Sequence, residues 1–130
     1  MNRSSPIRLL IVDDERDILD LLGSLLQSTT CTVFTALNIS EAETLLNSEA
    51  IDLIICDYYI GATTGTDWLA KLKKNGNQSH YIVYSGSFDI LEMHFPDLGR
   101  DFKSVLKTDM KGLTQAIGEV MSERGCKKIS

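Results

Sequence analysis

Five side chains in this chain of 130 residues are suited to handling a phosphate: Asp13, Asp14, Asp57, Ser85 and Lys107. Each stands at the end of a short apolar run. Asp13-Asp14 follow Ile7 to Val12, Asp57 closes Ile51-Asp52-Leu53-Ile54-Ile55-Cys56, Ser85 follows Tyr81-Ile82-Val83-Tyr84, and Lys107 follows Val105-Leu106. Singly, each has a plain explanation. An Asp or Ser at such a place turns the chain, an acidic pair caps a helix, and a lysine is by default a solvated surface charge. Together, at corresponding ends of successive runs, they make one constellation. Crowded carboxylates raise one another's pKa unless a cation joins them. An all-oxygen set suits Mg²⁺, which keeps several waters and takes one or two carboxylates plus phosphate oxygens. With that cation in place, Asp57 can stay ionised and attack phosphorus as a nucleophile. Lys107 and the Ser85 hydroxyl would then hold the phosphoryl oxygens by position and charge.

The constellation requires elements that bring these ends together. The run closing on Asp57 is rich in β-branched residues and too short for an ordinary helix, so it reads as a strand buried on both faces. Ile7 to Val12 is the first strand. Ile18, Leu21, Leu22 and Leu25 then recur at helical spacing, with acidic residues in the first turn where the helix dipole favours them. Cys31 to Ala36 is a second strand. Ser40 precedes Glu43 by three residues, a capping-box signature, and Ala42, Leu45 and Leu46 supply the apolar stripe of the helix that follows.

After Asp57 comes a loop, Tyr58 to Gly65. A helix over Thr66 to Lys74 follows, with Trp68, Leu69 and Leu72 inward and Asn75-Gly76-Asn77 as its stop. Tyr81 to Tyr84 is the fourth strand and Val105-Leu106 a brief fifth. Between them, Phe88, Ile90, Leu91 and Met93 suggest a short helix ended by Pro96 and Gly99. The closing helix runs from about Asp109 to Arg124 with Leu113, Ala116, Ile117, Val120 and Met121 on one face. Strand and helix alternate five times, which predicts an α/β fold: a parallel sheet with helices on both faces. Open sheets of this kind bind ligands beyond the carboxyl ends of their strands, where Asp57 stands.

The totals set limits. The length fits one domain, and 43% apolar residues are enough for a core. Net charge is -5 and basic residues occur only in short pairs such as Lys73-Lys74 and Lys127-Lys128. Nucleic-acid binding by this domain is therefore not expected, since it leans on clustered basic residues. Cys31, Cys56 and Cys126 are odd in number and lack CxxC spacing, so neither a disulfide framework nor a zinc site is indicated. Cys31 and Cys56 lie in apolar runs and read as core residues. Met1 to Arg8 lacks the apolar core of a signal peptide and no run reaches membrane-spanning length, which predicts a cytoplasmic protein without membrane contact.

Over about Ile7 to Arg124 the chain resembles the receiver domain of two-component response regulators. The likeness rests on the acidic pair in Leu9-Leu10-Ile11-Val12-Asp13-Asp14-Glu15, the acceptor at Asp57, Gly65 in the next loop, Ser85 at the Ser/Thr switch position, and Lys107. It implies a flavodoxin-like, doubly wound sheet of five strands in the order 2-1-3-4-5. It implies one receiver domain over residues 1–130, with a core over 7–124 and flexible ends at 1–6 and 125–130. Asp57 would accept a phosphoryl group from a phosphohistidine on a sensor histidine kinase or phosphotransfer protein. Asp13, Asp14, Asp57 and the Tyr59 carbonyl would hold Mg²⁺, and Ser85 and Lys107 would bind the phosphoryl group. The implied output is contact with a downstream protein target. The fourth helix, fifth strand and fifth helix are the expected homodimer or partner face.

Four positions depart from the family pattern. Thr108 stands where a cis-proline usually follows the lysine. A cis bond before a non-proline residue costs about 2.5–4 kcal/mol, so a trans bond is expected here. Ser104 replaces the aromatic residue of the switch. Gly61 replaces a common proline and is expected to loosen its loop. Tyr59 places a large side chain two residues beyond Asp57, where it would partly screen an acyl phosphate from water. These changes spare the phosphoryl chemistry and fall on the output side, which leaves a second reading: a docking or dimerisation module of receiver fold that works without phosphorylation. A phosphatase of the haloacid dehalogenase type, which also uses an Asp nucleophile and Mg²⁺, needs a second Asp where this chain has Tyr59, and is set aside. The expectation is a signalling domain, not an enzyme with its own substrate.

Overall fold

The computed structural model describes residues 5–87, Phe95, Leu98 and 102–129. Five strands, β1 (Ile7–Val12), β2 (Cys31–Ala36), β3 (Leu53–Asp57), β6 (His80–Ser85) and β7 (Phe102–Leu106), form a sheet in the order β2-β1-β3-β6-β7. All its pairings are parallel. Among the described residues, four helices accompany them: α1 (Arg16–Leu26), α2 (Ile39–Ser48), α3 (Gly65–Lys74) and α4 (Met110–Ile129). Two short strands, β4 (Tyr59–Ile60) and β5 (Thr63–Thr64), pair antiparallel as a hairpin between β3 and α3. Counting only the strands of the main sheet, the order is the expected 2-1-3-4-5.

Side chains of successive strand residues point to opposite faces, and two separate cores result. Ile7, Leu9, Ile11, Leu53, Ile55, Ile82 and Tyr84 pack with Leu19, Leu22 and Leu26 of α1 and Leu113, Ala116, Ile117 and Val120 of α4. Leu10, Val12, Ile54, Cys56, Tyr81 and Val83 pack on the other face with Ala42 of α2 and Trp68 and Leu69 of α3. Strands β1, β3 and β6 are therefore buried on both sides. That is why they read as continuous apolar runs and not as alternating ones. Cys31 and Cys56 are buried and free.

Several local expectations are corrected. The buried stripe of α1 is Leu19, Leu22 and Leu26, with Ile18 partly buried; Leu21 and Leu25 are 53% and 57% exposed. Two overlapping leucine stripes satisfy helical spacing, and docking against β2 selects one of them. The cap of α2 is Asn38 rather than Ser40: its Oδ1 accepts the Glu41 N–H at 2.8 Å, while the Glu41 carboxylate accepts the Leu37 N–H at 2.8 Å. Glu43 instead accepts the Trp68 indole N–H at 3.3 Å. Helix α4 continues through Gly125 to Ile129, beyond the expected end at Arg124. A single glycine costs a helix only about 1 kcal/mol relative to alanine, too little to end it.

Gly61 takes φ +61° at the first position of the two-residue turn between Ile60 and Thr63. A hairpin turn of this kind calls for glycine there and excludes proline, whose φ is near −65°. Gly61 thus shapes a hairpin turn within the stretch expected to be a loop. No cis peptide bond occurs among the described residues, and the Lys107–Thr108 bond is trans as expected. The short helix expected from Phe88, Ile90, Leu91 and Met93 lies outside the described residues.

Candidate functional site

Parallel pairing delivers the strand ends to one edge. Val12 lies beside Cys56, Asp57 beside Tyr84, and Ser85 beside Leu106. The backbone continues these ladders past the strands: Asp13 N–H donates to the Ala36 carbonyl, Tyr58 N–H to that of Tyr84, and Lys107 N–H to that of Ser85. Asp13, Asp57, Ser85 and Lys107 are therefore fixed by main-chain hydrogen bonds before their side chains make any contact.

One carboxylate oxygen from each of Asp13, Asp14 and Asp57 lies within 4.8 Å of the others. Lys107 Nζ is 2.8 Å from Asp57 Oδ2, 3.2 Å from Asp13 Oδ2 and 3.4 Å from Glu15 Oε1. Asp13 is 0% exposed. Its Oδ1 accepts the Glu15 N–H at 2.9 Å, and its Oδ2 accepts the Tyr84 hydroxyl at 2.5 Å. Burial lifts the Asp57 pKa, and the Lys107 hydrogen bond and charge only partly offset this, so it stays above the ordinary carboxylate value. The backbone of Tyr59 favours the charged form of the Asp57 carboxylate and so lowers its pKa slightly. Burial pulls the Lys107 ammonium down, but hydrogen bonds and charge from Asp57 and Asp13 outweigh it, and its pKa is raised. Lys107 is thus a cation at neutral pH, seated among carboxylates.

The donor set fits a hard divalent cation. All three side-chain ligands are carboxylates, as Mg²⁺ prefers, and the ammonium against two of them shows that the cluster takes positive charge. The thiol of Cys56 donates to the Asp57 carbonyl at 3.3 Å. Burial, with the Asp57 and Asp13 charges, pushes that thiol's pKa far up, so it stays a protonated core group. Gly65 closes the floor. Its N–H donates to the Tyr58 carbonyl, and a Cβ there would come within 2.3 Å of the Asp57 carbonyl oxygen and 2.8 Å of Cys56 Sγ. Only glycine lets α3 start this close to the acceptor.

The remaining expected residues are less tightly drawn in. Ser85 is buried at the end of β6, and its hydroxyl accepts the Ser87 N–H at 3.1 Å. Tyr59 is 64% exposed, and its ring packs edge-on against Tyr58 with centroids 4.7 Å apart. Tyr84 was not expected at the site. Period-2 alternation carries the signal: Asp13 continues the face of Ile7, Leu9 and Ile11, and Tyr84 continues the face of Ile82, so both point to the α1/α4 side.

Residues 9–95 match the family model of the response regulator receiver domain. The chain belongs to that family. Receiver domains are signalling domains of two-component systems; they bind Mg²⁺ at an acidic pocket and interact with histidine kinases and downstream effectors. Over 69 residues, 53% of its length, this receiver is 38% identical to the transcriptional regulatory protein GlrR of Escherichia coli K12; the match spans 16% of that regulator. Among solved structures it is similar to the signal receiver domain of an HD domain-containing protein from Pseudomonas fluorescens Pf-5. The TM-score is 0.81 and the identity 21%, covering 93% of this chain and 98% of the other. It is also similar to the response regulator protein TrrA of Thermotoga maritima, solved in complex with Mg(2+)-BeF. There the TM-score is 0.75 and the identity 24%, over 88% of this chain and 98% of the other. Both likenesses are likenesses of fold.

Proposed function

We propose that this receiver accepts a phosphoryl group on Asp57 from a phosphohistidine of a sensor histidine kinase or phosphotransfer protein. One observation carries the reading: Lys107 Nζ bridges Asp57 and Asp13, with Asp14 completing an oxygen cluster beside them. Asp57 Oδ attacks phosphorus, the phosphorus–nitrogen bond of the donor breaks, and the imidazole leaves. Asp13, Asp14, Asp57 and the Tyr59 carbonyl would hold Mg²⁺. When bound, that cation supplies charge neutralisation among the carboxylates and the phosphoryl oxygens. Lys107 offers its ammonium to the new phosphoryl oxygens, and Ser85 turns its hydroxyl from the Ser87 N–H towards them. The exposed Tyr59 ring partly screens the product from water.

The output is contact with a downstream protein, for which β7 and the described part of α4 supply a face; the preceding helix of the family's partner face falls outside the described residues. A second reading, a docking module that works without phosphorylation, is favoured by Ser104 at the centre of β7 and by the trans bond before Thr108. Intact mass after incubation with Mg²⁺ and acetyl phosphate separates the two. A single phosphoryl adduct is expected for the wild type, and none for Asp57→Asn or in chelator. A wild type that binds Mg²⁺ but gains no adduct would establish the docking module instead.

A further inference from the structure

Tyr84 is one of the largest fully buried side chains among the described residues, 2% exposed, on β6, an interior strand between β3 and β7. An aliphatic side chain would fill the same core position, so the hydroxyl needs its own account. It donates to Asp13 Oδ2 at 2.5 Å, in a place where Asp13 is closed to water. The other oxygen of Asp13 is taken by the Glu15 N–H. Carboxylate torsions are otherwise broad, and two donors on opposite oxygens leave this one a single orientation. The Tyr84 ring also lies beneath Lys107, whose Nζ is 5.2 Å from the ring centroid, within reach of a cation–π contact. One residue therefore touches both an acid and the ammonium of the pocket.

We infer that Tyr84 is a positioning residue for the cation site: its phenol sets the orientation of Asp13, and its ring sets the place of Lys107. The inference rests on the reading that the acidic cluster binds Mg²⁺. Groups that hydrogen-bond to metal ligands fix their direction, and their loss typically weakens metal affinity by about 10–100-fold. Removing the hydroxyl alone leaves the ring under Lys107 and the core filled, so the loss falls on cation affinity and not on the chemistry of Asp57.

The test is calorimetric titration of the full chain with Mg²⁺, comparing wild type, Tyr84→Phe and, as a control, Tyr81→Phe, whose ring belongs to the opposite core. Tyr84→Phe is expected to bind Mg²⁺ about 10-fold more weakly or worse, with Tyr81→Phe unchanged. With acetyl phosphate, Tyr84→Phe should need more Mg²⁺ for half-maximal adduct formation yet reach the wild-type rate at saturation. An unchanged dissociation constant, or a lost rate that saturating Mg²⁺ does not restore, overturns the inference. A wild type that does not bind Mg²⁺ overturns both the inference and the reading beneath it, and that result is read from the wild-type titration alone. Should Tyr84→Phe not fold, proton magnetic resonance of the wild type decides. A slowly exchanging phenolic proton, assigned through the Tyr84 ring and shifted by Mg²⁺, is expected; its absence, or indifference to Mg²⁺, overturns the inference.

Discussion

Lys107 shows how a residue with an ordinary default becomes a site residue. On a surface its charge would be solvated and its ion pairs worth little. Here the ammonium meets Asp57 and Asp13 in a recess that buries both acids, and removing it leaves like charges facing one another with no counter-ion. Lys107→Met is therefore expected to lower stability by roughly 1–3 kcal/mol in chelator, at least the loss typical of a buried polar group left without its partner. Part of that loss should return on adding Mg²⁺, because a divalent cation neutralises the same carboxylates. Urea midpoints of the variant with and without Mg²⁺ check both halves. No recovery would mean that the acidic cluster does not take the cation.

Elements place these residues, and the connections carry as much of the design as the strands. The approach of α3 to β3 depends on Gly65, since any Cβ there would overlap the Asp57 backbone. The turn at Gly61 needs a positive φ. At the start of α2 the cap is Asn38, which accepts the Glu41 N–H, while the Glu41 carboxylate accepts the Leu37 N–H. Asn38→Ala is expected to lower stability by about 1 kcal/mol, the usual effect of losing an N-cap. Ser40→Ala, at the second residue of the helix, should change it little. Thermal or urea denaturation of the two variants discriminates them, and a reversed order would restore the Ser40–Glu43 box. The sequence offers both boxes with the same spacing; which one forms depends on where β2 releases the chain.

At the scale of the molecule, one sheet separates two cores and also gathers protons. Burial holds the Tyr81 phenol up at about 12. The Tyr84 phenol is raised further, by burial and then by the hydrogen bond and charge of Asp13. Lys107 is raised as well. The folded chain thus keeps protons that the unfolded chain gives up near pH 10. Its stability from these groups is complete below about pH 10 and falls as pH rises towards 12, because proton loss favours the state that binds fewer protons. Tyr81→Phe is expected to flatten that fall, while near neutrality it costs only the hydrogen bond its hydroxyl donates to Asn77 Oδ1, about 1 kcal/mol. Urea midpoints measured from pH 8 upward test this, and a wild type insensitive to alkali would contradict it. Among the described residues no helix is long and apolar enough to cross a membrane.

Much was legible from the chain alone, for a physical reason. A parallel strand buried on both faces must be continuously apolar, so β1, β3 and β6 stand out, and the polar residues that end them mark the sheet's carboxyl edge. Asp13, Asp14, Asp57 and Ser85 could be assembled from that logic, and Lys107 from the short run Val105-Leu106 before it. Other features needed the tertiary structure because local spacing is degenerate there. Two leucine stripes on α1 and two capping boxes before α2 are equally periodic, and packing against β2 and β1 chooses between them. Tyr84 reads locally as one more strand residue. Only the register of β3 against β6 and of β1 against β3 brings its hydroxyl onto Asp13, 71 residues away in the chain.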